Sequence, residues 1–142
     1  MPPRLEHANL NVLNIEATIC FLQTAFPEFR VRYDSATVSP DDRWVHVGVD
    51  ETYIALNEAS VEPGELWKPY EGIPGVNHLG YEVDDVMALR DRLLAAGYEE
   101  SMSPVEHPYR KRVYFYDPDG NDWEFVEYLT EDRVKRHDYS NG

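Results

Sequence analysis

Two histidines stand at matching places in two short stretches of this chain. His7 is the third residue of LEHANLNV and His78 the third of VNHLGYEV, and each stretch has a valine at its eighth position. A carboxylate, Glu124, sits between Trp123 and Phe125 in VYFYDPDGNDWEFVEY. Two neutral imidazoles and one carboxylate are the ligands of a facial metal triad. Such a triad suits Fe(II), and less selectively Mn(II), Co(II), Ni(II) or Zn(II), and leaves positions open for substrate. A lone strand histidine is ordinarily structural, so the pattern has meaning only if the fold brings these side chains to one face.

The elements around them repeat. After each histidine strand comes a helical pattern, first IEATICFLQTAF (15–26), then DVMALRDRLLAA (85–96). In the second, Val86, Leu89, Leu93 and Ala96 recur at helical spacing, Asp84 or Asp85 can cap the start, and Gly97 can close the end. Three strand candidates follow each helix: 29–35, 43–49 and 52–58, then 98–103, 110–117 and 122–128. Turns are expected at Asp50-Glu51 and at Asp117-Pro118-Asp119-Gly120. The predicted fold class is therefore α+β, with two tandem βαβββ modules. A ferredoxin-like sandwich would run βαββαβ, and the count of three strands after each helix excludes it. The organisation expected is a single domain over 1–142, with modules at 4–59 and 75–130. A linker rich in proline and glycine covers 60–74, and a charged tail, frayed or docked as a short helix, covers 131–142.

Strand side chains alternate between faces. His7, Asn9 and Asn11 share one face of the first strand, opposite Ala8, Leu10 and Val12. His78, Gly80 and Glu82 share a face opposite Leu79, Tyr81 and Val83. If Trp123 and Phe125 pack under a helix, Glu124 must point the other way, to the side of the histidines. Parity thus predicts His7, His78 and Glu124 as metal ligands.

The whole chain narrows the partners. Twenty-seven acidic against thirteen basic residues give a formal net charge of -14. That balance argues against binding nucleic acid or an anionic membrane, both of which need a basic patch; Arg110-Lys111-Arg112 is too short a cluster to supply one. One cysteine, Cys20, allows no intrachain disulfide and no four-thiolate zinc site. No apolar run approaches the ~20 residues of a membrane span, and the N-terminus has no signal-peptide core. The reading is a reduced, cytoplasmic protein acting on a small molecule.

Taken together, the paired modules, LEHANLNV, GVNHLGYEVDD and YFYDPDGNDWEFVE resemble the vicinal oxygen chelate superfamily. That superfamily includes glyoxalase I, fosfomycin- and bleomycin-resistance proteins and type I extradiol dioxygenases. The resemblance spans about residues 4–130. It implies that the modules form a curved mixed-sheet cup with helices outside, around a divalent metal held by His7, His78 and Glu124. It also implies a homodimer with shared sites. Glyoxalase I-like members carry a further Glu or Gln on the last strand of the first module. Here Ala55 in TYIALNE takes that position, and Glu58, three residues on, faces away on a regular strand. This departure favours the three-ligand pattern of extradiol dioxygenases and fosfomycin-resistance enzymes.

The stretch VEHPYRKRVYFYDPDGNDWE is similar to the extradiol ring-cleavage signature, matched by His107, Val113, Tyr114, Asp117, Pro118, Gly120 and Glu124. The resemblance makes Tyr114 a substrate-orienting phenol. His46 in RWVHVGV aligns across the repeat with Tyr114 and is a candidate acid or base. Trp44, Trp67, Tyr109, Tyr114 and Tyr116 are candidates to line the site. The expected function is a divalent-metal enzyme that chelates adjacent substrate oxygens, first of all an extradiol-type dioxygenase with Fe(II). The alternatives are a glyoxalase-like lyase, a fosfomycin-resistance-like transferase, and a metal-free binding protein of the bleomycin-resistance type.

Overall fold

A computed structural model describes residues 1–37, 42–59, 70–72 and 74–140. The chain divides into two compact units, Met1–Leu66 and Trp67–Gly142. The boundary falls inside the expected linker, most of which, with Trp67, lies outside the described residues.

The first module runs β1 (His7–Val12), α1 (Ile15–Ala25), β2 (Arg30–Asp34), a 3₁₀ turn at Ser35–Thr37, β3 (Trp44–Gly48) and β4 (Tyr53–Glu58). The second repeats it as β5 (His78–Glu82), α2 (Val86–Ala95), β6 (Glu100–His107), β7 (Arg110–Tyr116) and β8 (Asp122–Tyr128), followed by the short α3 (Arg133–Arg136). The sheet orders are β1-β4-β3-β2 and β5-β8-β7-β6. In each, the histidine strand pairs in parallel with the last strand, and the other pairings are antiparallel. This is the predicted α+β fold of two βαβββ modules.

Local chemistry sets the helix ends. Asn14 caps α1 by accepting from Ala17 N at 2.9 Å, and Asp85 caps α2 by accepting from Ala88 N at 2.9 Å, since the first helical N–H groups have no partner within the helix. Glu127 reaches the α2 start from β8, accepting from Val86 N at 3.0 Å. Gly97, at φ +88°, ends α2 in the left-handed region that glycine adopts without strain. Ala96, expected on the buried stripe, is instead the exposed C-cap residue.

The cores lie between each helix and one face of its own sheet. In the first module Ile15, Ile19, Phe21 and Leu22 meet Val45, Val47, Ile54 and Leu56; in the second Val86, Leu89 and Leu93 meet Val113, Phe115, Trp123 and Phe125. Trp123 and Phe125 are fully buried. A one-residue slip of β8 would expose both, losing roughly 1.5–3 kcal/mol for each. The strand is therefore locked with Glu124 on the opposite face.

The turn before β8 is built on one carboxylate. Asp117 is buried and accepts from Asp119 N (2.9 Å), Asn121 N (3.0 Å) and Asn121 Nδ2 (3.0 Å). Gly120 takes φ +80° to reverse the chain. Strand β6 is longer than the sequence indicates and contains Pro104. It is an edge strand whose register shifts between Met102 and Val105, the setting in which a missing N–H is tolerated. Ser35, expected in β2, belongs to the following turn.

Candidate metal and substrate site

In the second module β5, β7 and β8 align the site residues. His78 pairs in register with Asp122, Gly80 with Glu124, and Tyr114 with Glu124, so all share the face opposite α2. His78 Nε2 is 3.2 Å from Glu124 Oε2. His78 Nδ1 is 2.7 Å from Asn77 Oδ1. An amide oxygen only accepts, so Nδ1 is the donor there, and Nε2 is the ring nitrogen that faces Glu124. A proton on Nε2 would make this contact a hydrogen bond, and a divalent cation could be held by the same two atoms. This half of a ligand set therefore fits a divalent cation.

The first module repeats the arrangement around His7. Its Nδ1 is 2.8 Å from Glu6 Oε2, which likewise leaves Nε2 as the ring nitrogen not engaged by the preceding residue. Each histidine is thus oriented by the residue before it, Glu6 or Asn77, a detail of the sequence that parity alone overlooks. Among the described residues, neither module by itself gathers three metal-ligating side chains.

Register also settles the repeat alignment. His7 pairs with Tyr53 as His78 pairs with Asp122, and His46 pairs with Ala55 as Tyr114 pairs with Glu124. Ala55 therefore occupies the counterpart of Glu124. The ladder stays regular through Val12–Glu58. Glu58 is then the counterpart of the helix-facing Glu127, not of Glu124.

The groups beside His78, Glu124 and His7 have shifted acidities. Burial, and then the Glu124 charge, push the Tyr114 phenol up to about 12, so it stays protonated and can donate a hydrogen bond. Burial, then the charges of Arg32 and His7, hold His46 below the usual histidine value, which keeps its imidazole neutral at pH 7. His46 lies 4.6 Å from the Tyr53 ring and 4.9 Å from Trp44, and Trp44 stacks on Tyr33 at 4.9 Å. His7 stacks on Tyr53 at 4.8 Å with planes 10° apart. The first module thus presents a continuous platform of rings.

Further residues join the second face. Asp122 is buried and accepts from Ser101 Oγ at 2.6 Å and from the Tyr70 hydroxyl. Burial and that carboxylate raise the Tyr70 pKa well above the usual phenol value, so its hydroxyl remains a donor. The C-terminal tail docks through Arg110 Nη1, which donates to Asp138 O at 2.7 Å, and through Arg136 Nη2, which donates to Glu82 Oε1 at 2.6 Å. Tyr109 sits in the β6–β7 turn with Lys135 5.6 Å from its ring centroid, so it packs against the tail instead of lying on a strand. His107 is buried at the end of β6, its Nδ1 accepting from Tyr109 N at 3.2 Å.

Residues 4–125 match the family model of the Glyoxalase/Bleomycin resistance protein/Dioxygenase superfamily, and the chain belongs to that superfamily. It is 26% identical over 141 residues to a protein of Bacillus subtilis (strain 168) described as "Probable trivalent organoarsenical cleaving enzyme", covering 95% of this chain and 87% of that one. A glyoxylase/bleomycin resistance protein/dioxygenase domain from Frankia sp. EAN1pec has the same fold, with TM-score 0.74, 19% identity and coverage of 97% and 100%. So does the fosfomycin resistance protein FosX of Listeria monocytogenes complexed with Mn(II) and sulfate, with TM-score 0.68, 24% identity and coverage of 95% and 100%. No helix among the described residues is long and apolar enough to cross a membrane.

Proposed function

We propose that the protein is a divalent-metal enzyme that binds a small substrate through two adjacent oxygens, and that its reaction is extradiol-type cleavage of an aromatic diol. The proposed ligands are His78, Glu124 and His7. The observation that carries this reading is the 3.2 Å approach of His78 Nε2 to Glu124 Oε2, with Nδ1 already engaged by Asn77. A divalent ion there would act as a Lewis acid on both oxygens, and iron with dioxygen would add the oxidising power for ring opening. Tyr114 would donate its proton to a substrate oxygen and orient it, and neutral His46 would accept a proton from the substrate. The exposed rings of Trp44 and Tyr33, beside His46, favour a planar substrate. Fe(II) is the preferred metal; the Mn(II) in Listeria FosX supports a divalent ion in this fold.

Other chemistries remain for the same ligands. Fosfomycin-type addition and glyoxalase-type isomerisation need only the Lewis acid. Organoarsenical cleavage is less well supported, because a soft As(III) centre favours thiolates. Cys20 is the sole cysteine, and it is exposed on α1, the helix that covers the other face of the sheet. A bleomycin-type binding protein would leave the His78–Glu124 pair without a purpose.

The test is elemental analysis of protein purified anaerobically without chelators, beside His78→Ala, followed by catechol ring-cleavage assays for yellow products. About one equivalent of metal, lost in the variant, supports the site. No metal in either protein, and none taken up on titration, refutes it. Methylglyoxal with glutathione, and fosfomycin, are the comparison substrates. Sedimentation of the same sample checks the proposed homodimer.

A further inference from the structure

Both modules carry a β-bulge at the same place. In the first, Val31 pairs with Val47 and Tyr33 with His46, leaving Arg32 as the extra residue. In the second, Glu100 pairs with Phe115 and Met102 with Tyr114, leaving Ser101 as the extra residue. Val47 follows His46 as Phe115 follows Tyr114, so the bulges are equivalent. A bulge re-aims a side chain, and here both extra residues reach the register partner of a histidine. Ser101 donates to Asp122, the partner of His78. Arg32 places its guanidinium carbon 4.2 Å from the ring centroid of Tyr53, the partner of His7.

The two outcomes differ in one respect. Asp122 is a carboxylate and Ser101 satisfies it, whereas Tyr53 offers Arg32 only a ring face. No carboxylate among the described residues comes within ion-pair distance of Arg32. Arg30, Arg43, Arg90 and Arg136 all have one. A guanidinium resting on an aromatic ring keeps its N–H fork available for a planar anion.

We infer that Arg32 anchors an anionic group of the substrate, a carboxylate carried on a planar ring. The inference rests on the proposed metal site only for where the reacting oxygens bind. The anion is placed beside Tyr53, the ring that His7 also stacks on, so one end of the substrate is fixed by charge while its oxygens are held elsewhere. Arg32 is then a binding and specificity residue with no part in the proton transfers.

The probes are 3,4-dihydroxybenzoate and its neutral methyl ester, titrated calorimetrically into the full chain with and without Mn(II). The acid is expected to bind about tenfold tighter than the ester, the scale of a charge-assisted hydrogen bond. Arg32→Gln should weaken the acid by about that factor and leave the ester within about twofold; Arg32→Lys, which keeps the charge, should retain part of the preference. No measurable binding of the acid, equal affinities in the wild type, or a preference that survives Arg32→Gln would overturn the assignment. His78→Ala separates the two ideas: it should abolish the Mn(II)-dependent gain and leave the acid-over-ester preference. If Mn(II) changes nothing in the wild type, the metal reading fails, while Arg32→Gln still decides the anion site.

Discussion

The indole of Trp123 donates to Asp117 Oδ2 at 3.1 Å, with both residues buried. The turn that starts β8 is thereby tied to the side chain that fixes the parity of β8, and with it the direction of Glu124. Asp117→Ala removes the acceptor for this bond and for three more donors, two backbone and one amide. Buried donors left unpaired cost about 1–3 kcal/mol each before relaxation. The variant is expected to lose about 2–4 kcal/mol in urea unfolding, whereas a loss below about 0.5 kcal/mol would mean that the turn does not depend on this carboxylate.

Gly48 is the second structural test. A Cβ there would meet Thr52 O at 2.3 Å and Tyr53 Cα at 2.6 Å, both backbone atoms with little room to move. Gly48→Ala should destabilise by about 1–3 kcal/mol. Tyr53 stacks on His7, so the substitution should also weaken metal retention. Normal stability with normal metal content would show that the β3–β4 turn yields more easily than its geometry indicates.

Tyr114→Phe separates orientation from metal binding. The phenol is proposed to touch substrate; Phe keeps the ring that meets His78 edge-on at 6.3 Å and removes only the hydroxyl, which also bonds Glu124. Metal content should stay at the wild-type level while kcat/KM falls by about 10²-fold, within the range for a positioned proton donor. Unchanged turnover would remove Tyr114 from the site, and loss of metal would assign it a structural role.

Acid stability follows from Asp34. Arg43 donates to it twice, Nε to Oδ1 at 3.1 Å and Nη2 to Oδ2 at 2.8 Å, and Ala36 N donates at 3.0 Å. The Arg43 hydrogen bonds, then that of Ala36, hold the carboxyl below its ordinary 3.8. A carboxyl with a depressed folded value stabilises the fold above its unfolded value, and the gain disappears as pH falls through the folded one. Wild-type stability should therefore drop below pH 3.8 more steeply than that of Asp34→Asn, which lacks this titration. Parallel curves from pH 5 to 2 would show that the pair adds nothing.

Much of the architecture was legible because it follows from local rules. The apolar spacing of Val86, Leu89 and Leu93 defines α2, and Asp85 caps it. The alternation in HANLNV and DWEFVEY puts His7 and Glu124 on the faces opposite their helices. The equivalence of Ala55 with Glu124, and of His46 with Tyr114, came from aligning one module on the other, and the strand registers agree.

What the sequence determined by itself is periodicity and repetition: two βαβββ modules, their histidine faces, and the residue types offered there. Only the tertiary structure decided which side chains meet. A bulge is one extra residue opposite a partner strand some fifteen residues away, so no local pattern announced that Arg32 would rest on Tyr53. The engagement of Tyr70 with Asp122 and the docking of the tail through Arg110 and Arg136 likewise join segments distant in the chain. Secondary structure is encoded by neighbours and strand parity, whereas a site is assembled by contacts whose partners the chain specifies only once it has folded.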